Sequence, residues 1–310
     1  MQPPTLAAIL CIVVLVLTGC NVISADAVEA LITRPPQALQ KAAENADPPD
    51  SLCVMSYNIK NLHAPPPNDW PARLPKMTTV IEKHDPAIVG LQEAFYTQVK
   101  DLLGAMPAYD WIGLGRDGGS RGEFMAVLYK KDTLEPVEFG HFWLSDTPNV
   151  IASATWGHSN RRMVTWVLFK EKASGKIFYL LNTHFDHRVR DARRKAALLI
   201  RKNVMLLPET VPLILMGDFN AIAEGSDPYT ILTEETGLTD AWLAADKRTG
   251  EGLNTFNGFR AGKHEGDRRI DWILHRGPIT AESASTDDYN EDGLYPSDHF
   301  PVTACFTWKE

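Results

Sequence analysis

Leu213-Ile214-Leu215-Met216-Gly217-Asp218-Phe219-Asn220 is the stretch from which the rest of the chain can be read. A run of apolar residues opened by Pro212 and closed by Gly217 describes a strand buried on both faces. An acid and an amide follow at once, so polar groups are held at the end of a buried strand. Burying a carboxylate there is costly unless a partner or a cation meets it. The same arrangement recurs on either side. Upstream, residues 52–58 form an apolar strand ending in Asn58, residues 87–91 a second one followed by Gln92-Glu93, and Leu180-Leu181-Asn182-Thr183 leads into His184. Downstream, Asp271 lies inside Ile270-Asp271-Trp272-Ile273-Leu274, and Asp298-His299 precede a last strand at 302–308.

Between these strands the apolar period changes to that of helices. Leu74, Met77, Val80 and Ile81 share a face, with Pro75 expected in the first turn. Val99, Leu102 and Leu103 line a short helix. Residues 189–206 give the clearest one: Val189, Ala192, Ala196, Leu199 and Ile200 on one face, and Arg193, Arg194 and Lys195 expected in solvent. Further strands are expected at 109–113, 124–129 and 134–144, and 163–169 with 177–182 should form a hairpin across Ala173-Ser174-Gly175. Many strands with amphipathic helices suit two packed sheets flanked by helices. The polar residues should then gather on loops at one rim.

The chain has 310 residues, 44% of them hydrophobic and 23% charged, an ordinary globular composition. The net charge of -8 argues against a protein that clamps duplex nucleic acid, for which phosphate contacts call for a basic surface. Residues 6–17 are an unbroken apolar run, short of the ~20 that span a bilayer, and fit a signal segment over 1–20. Its end, Leu17-Thr18-Gly19-Cys20, resembles a bacterial lipobox, although no Lys or Arg precedes the run. This implies export, with membrane attachment through a lipid on Cys20; read as a cleaved secretory signal or an uncleaved anchor the segment implies export as well, a cleaved signal leaving the protein periplasmic or secreted. Residues 21–50, with Pro35, Pro36, Pro48 and Pro49, read as a tether, and 51–310 as one domain. Cys53 and Cys305 lie in apolar runs and are expected as buried free thiols; a disulfide is permitted but not implied.

Each polar residue has an ordinary reading when taken alone. Asn58 could form a turn, Glu93 could serve the start of the next helix, Asp218-Phe219-Asn220 could be an Asx-turn, Asp298 could cap a turn after Pro296, and His184 could be a satisfied core histidine. Trp70 and Trp156 could stack on substrate or simply pack. The Gly-rich Arg116 to Gly122 could be a mobile rim or a plain loop.

Taken together, Met55-Ser56-Tyr57-Asn58, Gly90-Leu91-Gln92-Glu93, Asn182-Thr183-His184, Gly217-Asp218-Phe219-Asn220, Arg269-Ile270-Asp271 and Ser297-Asp298-His299-Phe300-Pro301-Val302 resemble, in order, the motifs of the endonuclease/exonuclease/phosphatase (DNase-I-like) superfamily. The resemblance covers about residues 52 to 308 and implies a four-layered α/β sandwich. It implies a metal-dependent hydrolase of phosphodiester or other phosphate ester bonds, using Mg²⁺ with Mn²⁺ as a substitute. By the same resemblance Glu93 is the principal metal ligand, with Asn58 and Asp298 completing or orienting its shell. Asp218 activates water, Asn220 holds the phosphate, His299 pairs with Asp271, and His184 donates to the phosphate or acts as general acid. Arg162, or Arg161 in its place, contacts phosphate. The substrate would be a nucleic acid, a nucleotide or a phospholipid headgroup, and no protein partner is implied. A lipid or sphingomyelin-type phosphodiesterase is the main alternative. A non-catalytic binding lipoprotein is disfavoured, because every matched position carries a chemically competent side chain.

Overall fold

The computed structural model describes residues 51–309 apart from 235, 261, 263 and 267. The expected signal segment, tether and Cys20 lie outside the described residues. One sheet holds, in spatial order, β10 (Lys247–Thr249), β12 (Ile279–Thr286), β13 (Val302–Trp308), β1 (Leu52–Asn58), β2 (Ile88–Gln92), β4 (Val127–Lys130) and β3 (Tyr109–Ile112). The other holds β5 (Leu134–Trp143), β6 (Met163–Glu171), β7 (Ile177–His184), β8 (Leu213–Asp218), β11 (Asp271–Arg276) and β9 (Thr239–Asp240). Both are mixed: β1 runs parallel to β2 and β7 parallel to β8, while β6 pairs antiparallel with β7 as the expected hairpin.

Three apolar clusters fill the spaces between four layers. Leu52, Val54, Leu180, Ile214, Met216, Ile273 and Phe306 meet between the sheets. Met55, Tyr57, Val80, Ile81 and Leu102 join the first sheet to α1 (Trp70–His84) and α2 (Tyr96–Ala105). Tyr179, Leu181, Ala196, Ile200, Phe219 and Trp272 join the second sheet to α3 (Arg190–Val204) and α4 (Asp227–Thr233). Strands buried on both faces explain the continuous apolar runs. The two-residue period of each strand then decides where its last side chain points. Leu52 and Val54 face the other sheet, so Asn58 does too; Ile214 and Met216 place Asp218 there, Leu180 places His184, and Ile273 places Asp271. The expected polar rim is therefore the wet end of the inter-sheet core.

Gly90 and Gly217 permit this convergence. A Cβ on Gly90 would come within 2.4 Å of Met216 Cε, and one on Gly217 within 2.1 Å of the Thr183 carbonyl oxygen. Below the rim, Gln92 Nε2 donates to Asn182 Oδ1 at 2.7 Å, and Asn182 Nδ2 donates to the carbonyls of Leu91 and Ala126, tying the sheets together.

Several expectations are corrected. Helix α1 starts four residues before Leu74, so Pro71 takes the first-turn place and Pro75 lies inside the helix. Arg193 is not solvated: it is half-buried and donates to the Asp186 carbonyl at 2.9 Å. Cys53 and Cys305 are not free thiols. They face each other across the β1–β13 pair and form a disulfide. Trp70 and Trp156 are both buried and pack, each indole donating to an aspartate. The Gly-rich loop closes on itself through backbone bonds such as Gly115 N–H to Gly119 O.

Candidate active site

Asn58, Glu93, His184, Asp218, Asn220, Asp298 and His299, with Arg162, line or floor one pocket of about 400 Å³. Asp271 sits behind it. An apolar cavity of about 250 Å³ under Phe142, Trp166 and Leu207 lies on the outer side of the second sheet, away from these groups.

Asp271 Oδ2 accepts from His299 Nδ1 at 2.9 Å, and His299 Nε2 lies 3.8 Å from Asp218 Oδ2. Burial alone would lower the His299 pKa, but the charges of Asp271 and Asp218 outweigh it and hold the imidazolium up to about 10. Asp218 is pushed up to about 7, first by burial and then by its like charge Asp271. A carboxylate tuned to neutral pH is the property a general base needs. His184 goes the other way: burial, then Arg162 and Arg116, lower it well below the ordinary histidine range. It is therefore a neutral ring, 3.0 Å from Asn220 Nδ2 and 3.3 Å from Asp218 Oδ2. Asn220 Nδ2 also donates to the Phe185 carbonyl, so the expected phosphate contact would compete with both bonds.

Glu93 and Asn220 both have positive φ, 60° and 48°, in the left-handed region that non-glycine residues seldom adopt. Strain of this kind persists where the surroundings over-determine it, commonly at functional sites. Glu93 receives Asn58 Nδ2 at 3.3 Å on one oxygen, and the Asn61 backbone and side-chain amides on the other. Asn58 Nδ2 also donates to Asp218 Oδ2 at 3.0 Å, while its oxygen takes the Lys60 N–H. Asn58 thus ties Glu93 to Asp218 through its amide nitrogen, while its oxygen keeps one lone pair beside the Lys60 N–H.

A hard cation fits the Glu93–Asp298 side of the pocket. Both carboxylates reach within 4 Å of one point, the Lys60 ammonium nitrogen, and Asp298 Oδ1 is buried with no hydrogen-bond partner. Oxygen donors of this type suit Mg²⁺ or Mn²⁺. Asp218, Asp271 and His299 also lie close enough to chelate a metal.

On the opposite wall, Arg162 is buried, and its Nε and Nη1 have no hydrogen-bond partner. Nη2 approaches His187 Nδ1 at 3.3 Å, and Nε lies 4.0 Å from Asp186 Oδ2, at the limit of an ion pair. Arg161 is exposed and turned towards Asp117, so Arg162 is the guanidinium that faces the pocket. Lys60, Asn61, Glu123, His187 and the half-exposed Phe256 line it as well, none of them singled out from the sequence.

A family model described as the endonuclease/exonuclease/phosphatase family matches residues 55–299. The chain belongs to that family. The endonuclease/exonuclease/phosphatase proteins are hydrolytic phosphoesterases, usually dependent on a divalent metal. A solved family member from Bacteroides thetaiotaomicron is 34% identical, with a TM-score of 0.78 over 84% of this chain and 99% of its own. A mannosyl-6-phosphatase of the same organism is also 34% identical, with a TM-score of 0.78 over 83% of this chain and 100% of its own. Danio rerio TDP2 bound to a single-stranded DNA product, at 17% identity and a TM-score of 0.67 over 84% of this chain and 100% of its own, shares the fold. An uncharacterised protein of Acanthamoeba polyphaga mimivirus is 30% identical over 167 residues, which cover 49% of this chain and 59% of that protein.

Proposed function

We propose that this protein is a Mg²⁺- or Mn²⁺-dependent phosphoesterase that cleaves a phosphate ester of a small substrate with water as nucleophile. One observation carries the reading: a base tuned near neutrality, Asp218, shares a pocket with Arg162, a buried guanidinium whose Nε and Nη1 lack hydrogen-bond partners among the described residues, and with two cation-competent acids, Glu93 and Asp298. A bound cation would polarise the phosphoryl oxygen and ease departure of the leaving group. Glu93 and Asp298 would hold it, with Asn58 fixing the Glu93 carboxylate.

The Arg162 Nε and Nη1 donors would take phosphate oxygens in the forked geometry that guanidinium offers. Asp218, ionised, would accept the proton of the attacking water. His299, kept cationic by Asp271, would donate from Nε2 as charge builds on the phosphate. The neutral His184 would hold the Asn220 side chain in place, its Nε2 accepting from Asn220 Nδ2.

The pocket volume and the acidic net charge favour a small ester over a polymer. The 34% identical mannosyl-6-phosphatase supports a sugar phosphate monoester, and the sequence motifs equally accommodate a diester or nuclease-type cleavage. Hydrolysis of mannose 6-phosphate, p-nitrophenyl phosphate and bis(p-nitrophenyl) phosphate, each with Mg²⁺, Mn²⁺ or chelator, tests this. Cation-dependent release from at least one is expected; no release from any would sink the reading. We also propose export, with Cys20 as lipid anchor. The apolar run at 6–17 supports this, as does the disulfide, a bond that persists in oxidising compartments.

A further inference from the structure

No step proposed for the reaction uses Lys60, yet its ammonium stands between the two carboxylates read as cation ligands. Nζ lies 3.0 Å from Asp298 Oδ2 and 3.9 Å from Glu93 Oε2. The backbone beneath it is locked in place. Lys60 has a φ of 53°, its N–H is bonded to Asn58 Oδ1 at 3.1 Å, and its carbonyl accepts from Arg73 Nη2 at 3.0 Å and Gln98 Nε2 at 2.9 Å. Arg73 is itself buried and also holds the carbonyls of Ile59, Asn61, Asn68 and Pro296. The side chain differs from this frame: it is 30% exposed and lines the pocket, so its flexible stem can turn without disturbing the loop.

We propose that the Lys60 ammonium is the built-in counter-ion of the Glu93–Asp298 site, filling it when no divalent cation is bound and giving way when one arrives. Two carboxylates facing one part-buried point repel each other and are costly without a positive charge between them. The ammonium supplies that charge and keeps the acids in place. It cannot stay beside the same oxygens once a divalent ion takes them, because the two cations would repel at close range. Cation binding is therefore an exchange, weaker than the two acids alone would give, into a pocket that is already formed. The inference rests on the reading of Glu93 and Asp298 as cation ligands.

Calorimetric titration with Mn²⁺ and thermal unfolding, each on wild type and Lys60→Met, test it. Lys60→Met should bind Mn²⁺ at least about tenfold more tightly. It should melt several degrees lower without the ion and level with wild type when saturated. An unchanged or weaker Kd overturns the proposal, and so does an equal loss of Tm with and without Mn²⁺, which would mark Lys60 as merely structural. Should Lys60→Met fail to fold, the wild-type protein decides alone: the ¹⁵N signal of the Lys60 ammonium must shift along a titration with diamagnetic Mg²⁺, and one that ignores saturating Mg²⁺ refutes the exchange. Wild type that binds no Mn²⁺ would instead remove the cation site itself, a separate failure visible before any variant is made.

Discussion

Replacing Asp271 by Asn removes one charge and almost no volume. Asp271 Oδ2 lies 2.9 Å from His299 Nδ1, and His299 Nε2 3.8 Å from Asp218 Oδ2. Opposite charges about 4 Å apart interact by about 4 kcal/mol at an effective dielectric near 20, equivalent to about three pH units of proton affinity. His299, which stands at about 10, should therefore fall towards ~7. Asp218 loses the like charge that, after burial, does most to raise it, and should titrate below its present value of about 7. His299 must be protonated to act, so activity is lost as pH rises through its pKa. Asp218 must be ionised, so activity is lost as pH falls through its own. Both limbs of the profile should thus move to lower pH, the alkaline one the further. At the wild-type optimum kcat should drop on the order of 10²- to 10⁴-fold. Steady-state kinetics across pH, with an NMR titration of the His299 ring, read both effects. A folded Asp271→Asn protein with kcat within a few-fold of wild type and an unmoved alkaline limb would refute the pairing as a source of catalysis.

Asp218→Asn should leave the fold intact by circular dichroism and lower kcat on the order of 10²- to 10⁴-fold, and wild-type kcat/KM should fall as the pH drops below about 7, as long as proton loss from Asp218 limits it. Arg162→Met should raise KM for phosphate esters by about tenfold or more, since it removes two donors, Nε and Nη1, that have no hydrogen-bond partner among the described residues; an unchanged KM would take Arg162 out of the phosphate site. Reducing the Cys53–Cys305 bond, which closes a sequence separation of 252, should cost about 2–5 kcal/mol of stability, seen as a lower Tm in reductant, with kcat at 25 °C unchanged.

Two kinds of site residue were legible: those on the inner rows of the strands, and Glu93, Arg162, Asn220, Asp298 and His299 just beyond strand ends, found through the motif resemblance. Asn58, His184, Asp218 and Asp271 each continue a two-residue pattern whose apolar members face the inter-sheet core, so strand ends alone assemble them. Lys60, Asn61, Glu123, His187 and Phe256 lie off the strands, where no period reports direction. The Lys60 turn is set by Arg73, a residue on α1 that reads from the sequence as an ordinary helical arginine. Strand β12 was illegible for another reason: Ile279–Thr286 is mostly Ala, Ser and Thr and shows little apolar contrast between its faces. The disulfide depends on the cross-strand register of Cys53 with Cys305, which sequence separation does not reveal.

The central claim is that a cation held at Glu93 drives phosphate ester hydrolysis in this pocket. Its most direct test is the initial rate of p-nitrophenyl phosphate or bis(p-nitrophenyl) phosphate hydrolysis against Mg²⁺ and Mn²⁺ concentration, for wild type beside Glu93→Ala. The account predicts saturable, chelator-sensitive turnover in wild type and its loss by at least ~10²-fold in the variant. Equal rates in the two proteins, or a wild-type rate indifferent to chelator, would contradict it.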